Sequence, residues 1–470
     1  MTQLLAGGAV ITVDSKRRII DPGAVAVEDN RIVAVGPLDQ VRADFPAAEE
    51  INLSGAAILP GLIDSHGHAG HGLTKALGDG ADDWLELVAE IYFRQSDVEF
   101  WRAESFLSAL EHIEFGVTTS LSMTGSMPRV DDPKYAVAAS RGYAELGLRH
   151  IVALGPPNTP WPATYRDVER DTERTVDLDG MMETVSATID EIHGTADGRL
   201  SVFAGPSALV AELDGAGRAT PESVEAMRRV HALSEERGVY IHTHAYAGHL
   251  MAATASYPDI LTSKLTLAHC AGISLDEVRI MAVRGVNATH GPLTHAFASA
   301  RFPLTEALDA GVNVLISTDG SGPDRSFDLL SQGRIAAQLQ RAHFADNSLL
   351  PAGKILEMMT LDAARAFGMD AEIGSLEAGK KADIIAVDLR TARMSPRAMP
   401  LERVIYVGSG LDVEFMMVDG KILKRDHQIL DIDVDTILDD ADRAARAAYE
   451  RAGVLNRLSS HPNTWGQVRY

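Results

Sequence analysis

The sequence predicts an α/β protein: a (β/α)8 TIM barrel joined to a small composite β-sandwich built from both chain ends. Three observations predict it. Apolar strand-like runs alternate with helix-like stretches across residues 59–370, and the runs number eight, which fits a closed parallel barrel better than an open sheet. Short strands without such helices lie on either side, so the two ends are expected to combine. The 470 residues exceed one minimal domain. They accommodate a barrel of roughly 250 residues and a smaller partner.

Residues 1–58 form the first part of the sandwich, with strands at 4–11, 24–27 and 31–35 and no helix. Asp21-Pro22-Gly23 and Asp29-Asn30 supply turn chemistry between them. The barrel strands are expected at 59–65, 117–123, 149–154, 200–204, 239–242, 264–268, 286–290 and 312–317. Helices are expected at 101–115, 134–146, 181–193, 221–237, 274–284 and 303–310. Thr220-Pro221-Glu222 and Ser274-Leu275-Asp276-Glu277 supply helix-start chemistry. Residues 156–176 show no period and are expected to form an active-site loop or cover. The second part of the sandwich spans 371–430, with strands at 382–387, 403–407, 413–418 and 420–422. A helical extension spans 431–470, its helix at 432–453 and its tail irregular.

Composition narrows the partners. Mean hydropathy of −0.02 and 46% hydrophobic residues describe a soluble protein with ample core. A net charge of −23 argues against nucleic acid and anionic membranes, so a small molecule is the expected substrate. Cys270 is the single cysteine, so no intrachain disulfide is available and a reducing cytoplasm fits. No basic segment with a following apolar run opens the chain, and no run reaches the roughly 18 apolar residues that span a bilayer.

In such barrels the chemistry sits at the C-terminal strand ends. The first strand ends on Leu62-Ile63-Asp64-Ser65-His66-Gly67-His68. Alternation along a strand puts i and i+2 on one face, so His66 and His68 reach one ion together. The fifth strand gives Ile241-His242-Thr243-His244, the sixth His269-Cys270, the seventh His290 and the eighth Ser317-Thr318-Asp319-Gly320. Six of the 16 histidines thus fall at these ends beside an aspartate, which points to a metal site.

These motifs, with Leu59-Pro60-Gly61 before them and Gly374-Ser375-Leu376-Glu377-Ala378-Gly379-Lys380-Lys381-Ala382-Asp383 near the return, resemble the amidohydrolase superfamily. The resemblance is closest to the branch of cytosine deaminase-like and s-triazine hydrolases and covers nearly the whole chain. It implies that His66, His68, His244 and Asp319 bind one divalent metal ion per subunit and that His269 is a catalytic histidine beside it. Asp319 also takes the proton of an activated water and delivers it to the leaving group. Binuclear relatives use a lysine after strand four, and residues 200–209 contain none. Zinc is the first expectation, with iron, cobalt and manganese also suited to such a ligand set. Relatives of this kind imply a homo-oligomer, for which the C-terminal helix offers a contact.

One departure stands out. Deaminases of the branch carry His-x-x-Glu after strand five, and here that glutamate is Ala247. Alanine transfers no proton, which favours a substrate whose exocyclic carbonyl is polarised directly. The expectation is therefore hydrolysis of a C–N bond in an uncharged amide, urea or thiocarbamate, as in the similar phenylurea and molinate hydrolases. The alternative is an aminohydrolase or dechlorinase of a pyrimidine, purine or s-triazine. A non-catalytic barrel is disfavoured by the complete ligand set.

Tyr246, His290, Trp161, Tyr165 and Arg166 are candidate substrate contacts, and His71 and Trp84 candidate pocket walls. His242 lies beside the metal or packs below the site. His249 reads as a helix-start residue or a replacement proton carrier. Cys270 reads as a buried apolar side chain.

Overall fold

Eight parallel strands form the barrel: β1 (Leu62–His68), β2 (Val117–Met123), β3 (Arg149–Leu154), β4 (Leu200–Ala204), β5 (Ile241–Tyr246), β6 (Leu265–Ala271), β7 (Asn287–His290) and β8 (Val314–Ile316). The computed structural model describes residues 2–77, 83–125, 129–298, 300–459 and 465–466. Each strand pairs in parallel with its neighbour from β1 round to β8. The seam between β8 and β1 closes through other bonds. Ser65 Oγ donates to Ile316 O at 2.9 Å, Asp319 N to His66 O at 3.0 Å and Thr318 N to Asp64 Oδ1 at 3.0 Å.

The helices form where sequence chemistry starts and stops them. α1 (Val98–Phe115) opens on Asp97, whose side chain accepts from Phe100 N, and ends at Gly116, whose φ of 76° turns the chain into β2. α2 (Pro133–Leu146) and α3 (Leu178–Ile192) open on Asp132 and Asp177. α4 (Pro221–Arg237) is capped by Thr220 and carries proline at its first position. α5 (Leu275–Arg284) begins with a capping box between Ser274 and Glu277. All pack their apolar faces against the outside of the barrel in one continuous core.

The composite unit holds two sheets from both chain ends. Thr2–Ala6, Gly23–Glu28, Arg31–Pro37 and Glu49–Asn52 make one. Ala9–Ile11, Ile19–Ile20 and Ala56–Pro60 join Ile384–Asp388, Val413–Val418, Lys421–Arg425 and Gln428–Ile429 in the other. Leu5, Val25 and Ile51 of the first sheet share a core with Ile58, Ile384 and Phe415 of the second. Ile384–Asp388 runs antiparallel to Ala56–Pro60, which ties the return segment to the strand that leads into the barrel.

Several expectations need correction. The strand at 4–11 is two strands in different sheets, broken at Gly7, whose φ is 89°. Residues 1–58 do contain a helix, Leu38–Asp44, with Val41 its only buried residue, so its apolar signal is weak. Residues 403–406 lie in the helix Pro400–Tyr406, which Val407 caps, and not in a strand. Pro400, Leu401, Val404 and Ile405 follow helical spacing, and so short an apolar run is ambiguous. Residues 156–176 contain an antiparallel hairpin, Ala163–Asp167 with Thr172–Val176.

The C-terminal helix Val434–Ala452 packs its Ala441, Ala444, Ala448 and Tyr449 face into the same chain, with Arg102 and Asp440 paired at 2.7 Å. The expected irregular tail lies mostly outside the described residues. No helix among the described residues is long and apolar enough to cross a membrane.

Candidate active site

Asp64 sets the register of the metal-facing residues. Its carboxylate, buried between β1 and the chain after β8, accepts from Thr318 N at 3.0 Å and Thr318 Oγ1 at 2.5 Å. That clamp, with the bond from Asp319 N to His66 O, brings the ends of β1 and β8 together. His66 Nε2 then lies 3.0 Å from Asp319 Oδ1, and His68 Nε2 lies 3.2 Å from the same oxygen. From β5, His244 Nε2 comes within 3.3 Å of His68 Nε2. A tetrahedron of bonds near 2.05 Å has edges of about 3.3 Å, so these spacings match a shared zinc-sized ion.

The hydrogen bonds behind the ring nitrogens aim them inward. His68 Nδ1 lies 3.1 Å from Gly125 O and His244 Nδ1 lies 2.5 Å from Ser207 O. A carbonyl accepts only, so both Nδ1 atoms donate, which leaves the Nε2 lone pairs facing the site. His66 Nδ1 lies 2.8 Å from His242 Nε2. His242 is therefore behind the site and props His66, as the packing reading had it. On the inner side, His66 Nε2 and Asp319 Oδ1 are buried and neither makes a hydrogen bond. Two buried, unsatisfied donor atoms at ligand spacing fit a cation between them.

Electrostatics agree. Burial holds the His66 and His244 imidazoles well below their ordinary value, so they are neutral ligands. Burial likewise pushes His269 down to about 4, against the opposing pull of Asp319. For Asp319, burial alone would raise the carboxyl, but His269, His66 and His68 outweigh it and keep it ionised.

His269 stands across from these ligands, its Nε2 3.8 Å from Asp319 Oδ1. It also shares a ligand-sized cluster with His66 and His244. The backbone is strained here: His269, Cys270 and Asp319 have φ of 66°, 51° and 62°. Left-handed non-glycine residues are uncommon and concentrate where function requires them. Gly320 follows with φ of 80°, and a Cβ there would meet His71 Nδ1 at 2.5 Å, so the turn behind Asp319 needs glycine.

The site opens into a cleft of about 420 Å³. His71, Trp84 and Tyr246 line it, as do Asn158, Ser207, Thr294, His295, Pro323 and Arg325. Of the five substrate contacts expected from the sequence, only Tyr246 lines this cleft. Tyr165 is fully buried in the hairpin, its ring 4.9 Å from Phe93. Trp161 donates to Pro157 O at 3.0 Å, and Arg166 pairs with Asp171 at 2.8 Å. His290 is buried with neither ring nitrogen hydrogen-bonded, 4.8 Å from the His295 ring. His249 opens the helix after β5 and packs 5.5 Å from Tyr246. Cys270 is buried, as expected. Thr294, His295 and Arg325 were not anticipated, although all three lie in loops or helix starts that follow β7 and β8, where barrel loops face the site.

A model of the amidohydrolase family matches residues 57–423. The chain belongs to that family. A model of the bacterial imidazolonepropionase-like composite domain matches residues 23–48, which hold two strands of the first sheet and the helix Leu38–Asp44. This amidohydrolase is 30% identical to a 5-methylthioadenosine/S-adenosylhomocysteine deaminase of Moorella thermoacetica, over 89% of this chain and 94% of that one. It is 29% identical to a 5'-deoxyadenosine deaminase of Methanosarcina acetivorans, over 96% and 99% of the two chains. Among solved structures, a zinc-bound adenosine deaminase of Xanthomonas campestris superposes with a TM-score of 0.79 at 24% identity, covering 95% of this chain and 98% of that one. A zinc complex of an atrazine chlorohydrolase from Arthrobacter aurescens gives 0.73 at 22% identity, covering 94% and 99%. The protein is thus a metal-dependent hydrolase of non-peptide carbon–nitrogen bonds. The similarity favours the heterocycle alternative over the urea and thiocarbamate reading that Ala247 had suggested.

Proposed function

We propose that the protein is an aminohydrolase that replaces a ring amino group of a purine-like heterocycle with oxygen and releases ammonia. The observation that carries the reading is the cluster in which Asp319 Oδ1 lies 3.0 and 3.2 Å from His66 and His68 Nε2 and His244 Nε2 lies 3.3 Å from His68 Nε2, opening into a cleft of about 420 Å³. Clefts of roughly 300–1,000 Å³ take ligands of nucleoside size. The deaminases of adenine nucleosides that resemble this chain over about nine-tenths of its length support the same class of substrate.

In this reading His66, His68, His244 and Asp319 would hold one zinc ion, which would supply Lewis acidity and a nucleophilic water near neutral pH. The Asp319 carboxylate, its Oδ2 held by Thr294 Oγ1 at 2.7 Å, takes the proton of the attacking water. The C–O bond forms at the ring carbon, whose C=N electrons move to the ring nitrogen. Asp319 then returns its proton to the departing amine, and as the electron pair on the ring nitrogen re-forms the C=N bond the exocyclic C–N bond breaks and ammonia leaves. His269, neutral and facing Asp319, holds the attacking oxygen by a hydrogen bond as the tetrahedral centre forms. Tyr246 and Trp84 flank the ring at the mouth.

Ala247 favours a second reading, hydrolysis of an amide, urea or thiocarbamate, which needs no ring protonation. Ammonia release from metal-replete protein given adenosine, 5'-deoxyadenosine and 5'-methylthioadenosine, compared with product formation from phenylurea and a thiocarbamate, separates the two. Turnover of the adenine compounds is expected. Turnover of the urea or thiocarbamate alone would refute the aminohydrolase reading.

A further inference from the structure

We propose that Arg325 makes this cleft selective for a substrate bearing a carboxylate or an equivalent anionic group. The inference rests on the cleft being the substrate site and names the substrate class more narrowly. Asp319 and Arg325 are the only acidic or basic side chains, histidine apart, among the described residues that line the cleft. The Arg325 side chain is only 5% exposed, and its closest carboxylate oxygen is Asp319 Oδ2 at 3.7 Å, beyond hydrogen-bond distance. That oxygen is already held by Thr294, and the other Asp319 oxygen faces the imidazoles. Asp324 lies 3.8 Å away and is largely exposed.

A guanidinium offers five N–H donors. In Arg325, Nη1 donates to Thr294 Oγ1 at 3.3 Å and Nη2 to Gly322 O, while the buried Nε has no hydrogen-bond partner. The cation is therefore buried and underused, with no carboxylate among the described residues closer than Asp319 at 3.7 Å and the exposed Asp324 at 3.8 Å. When a divalent ion claims Asp319 as a ligand, the cleft holds a surplus of positive charge. A buried charge of this kind is costly until something pairs with it. A substrate carboxylate satisfies it through short, charge-assisted and bidentate bonds, the geometry that the planar guanidinium fork favours.

The test is calorimetric binding to full-length, metal-replete protein of three matched pairs: adenosine 5'-carboxylate and adenosine, orotate and uracil, 4-carboxyphenylurea and phenylurea. Wild type should bind the acid of at least one pair about tenfold or more tightly than its neutral partner, as one charge-assisted pair implies. In Arg325→Met and Arg325→Gln that preference should fall below about twofold, with affinity for the neutral partner changed less than about threefold. Arg325→Lys should keep part of it, since a point charge replaces a fork. Retained neutral binding shows that the variants fold, so lost acid preference then reads on Arg325 alone. No acid preference in wild type, or a preference that survives both Arg325→Met and Arg325→Gln, overturns the proposal. Binding is read without turnover, so a protein that prefers the acids yet releases no ammonia would refute the aminohydrolase reading and leave this one standing.

Discussion

Thr294 Oγ1 donates a 2.7 Å hydrogen bond to Asp319 Oδ2, which turns Oδ1 toward His66 and His68. One carboxylate is thereby divided between a fixed oxygen and a working one. Removing the hydroxyl with Thr294→Val should lower kcat about 10–100-fold, the usual cost of losing an outer partner, with metal content unchanged. Parallel measurement of kcat and of metal per chain checks this, and an unaltered kcat would mean that Asp319 needs no such support.

His242 supports His66 in the same sense. His242→Phe removes the acceptor 2.8 Å from His66 Nδ1 and leaves the ring free to rotate. Metal affinity, measured by competition with a chelator, should weaken about 10–100-fold, and His242→Gln should recover part of it. Equal affinity in all three proteins would make His242 a packing residue only.

Burial lowers the proton affinity of His66 and His244, so the neutral ligand form persists to lower pH than free imidazole, whose pKa is about 6.5. Metal retention should therefore remain complete as pH falls through about 6.5, with release at clearly more acidic pH. Metal content followed by dialysis across that range tests the sign. Release centred on the ordinary imidazole value would contradict it.

The parts of this site that were legible in the sequence are those that strand geometry dictates. His66 and His68 share a face because they are two apart on one strand, and His244, His269 and Asp319 occupy equivalent ends of β5, β6 and the chain after β8. Thr294 and Arg325 reach the cleft through the path of the chain after β7 and β8, which no local period encodes. Tyr165 illustrates the reverse error. In an aperiodic stretch its ring reads as a pocket wall, but the hairpin turns it into the core beside Phe93. In the composite unit, Gly7 splits an apolar run that looks continuous, and Val404-Ile405 suits a helix as well as a strand.

Ala247 is exposed just beyond β5 and does not line the cleft. In the proposed reaction the wild type works without a carboxylate at that position. Ala247→Glu should therefore change kcat for the best adenine substrate by less than about tenfold, well below what a general acid contributes. Steady-state kinetics on that substrate decide it, and a gain of about 100-fold would show that the missing glutamate limits the natural enzyme.

Everything proposed for the reaction passes through the carboxylate that touches His66 and His68. The most direct measurement is the rate of ammonia release from the best adenine substrate by metal-replete Asp319→Asn beside wild type. The amide keeps the shape but accepts no proton, so a loss of about 10³-fold or more is expected. An Asp319→Asn protein that releases ammonia within about tenfold of the wild-type rate would contradict the mechanism.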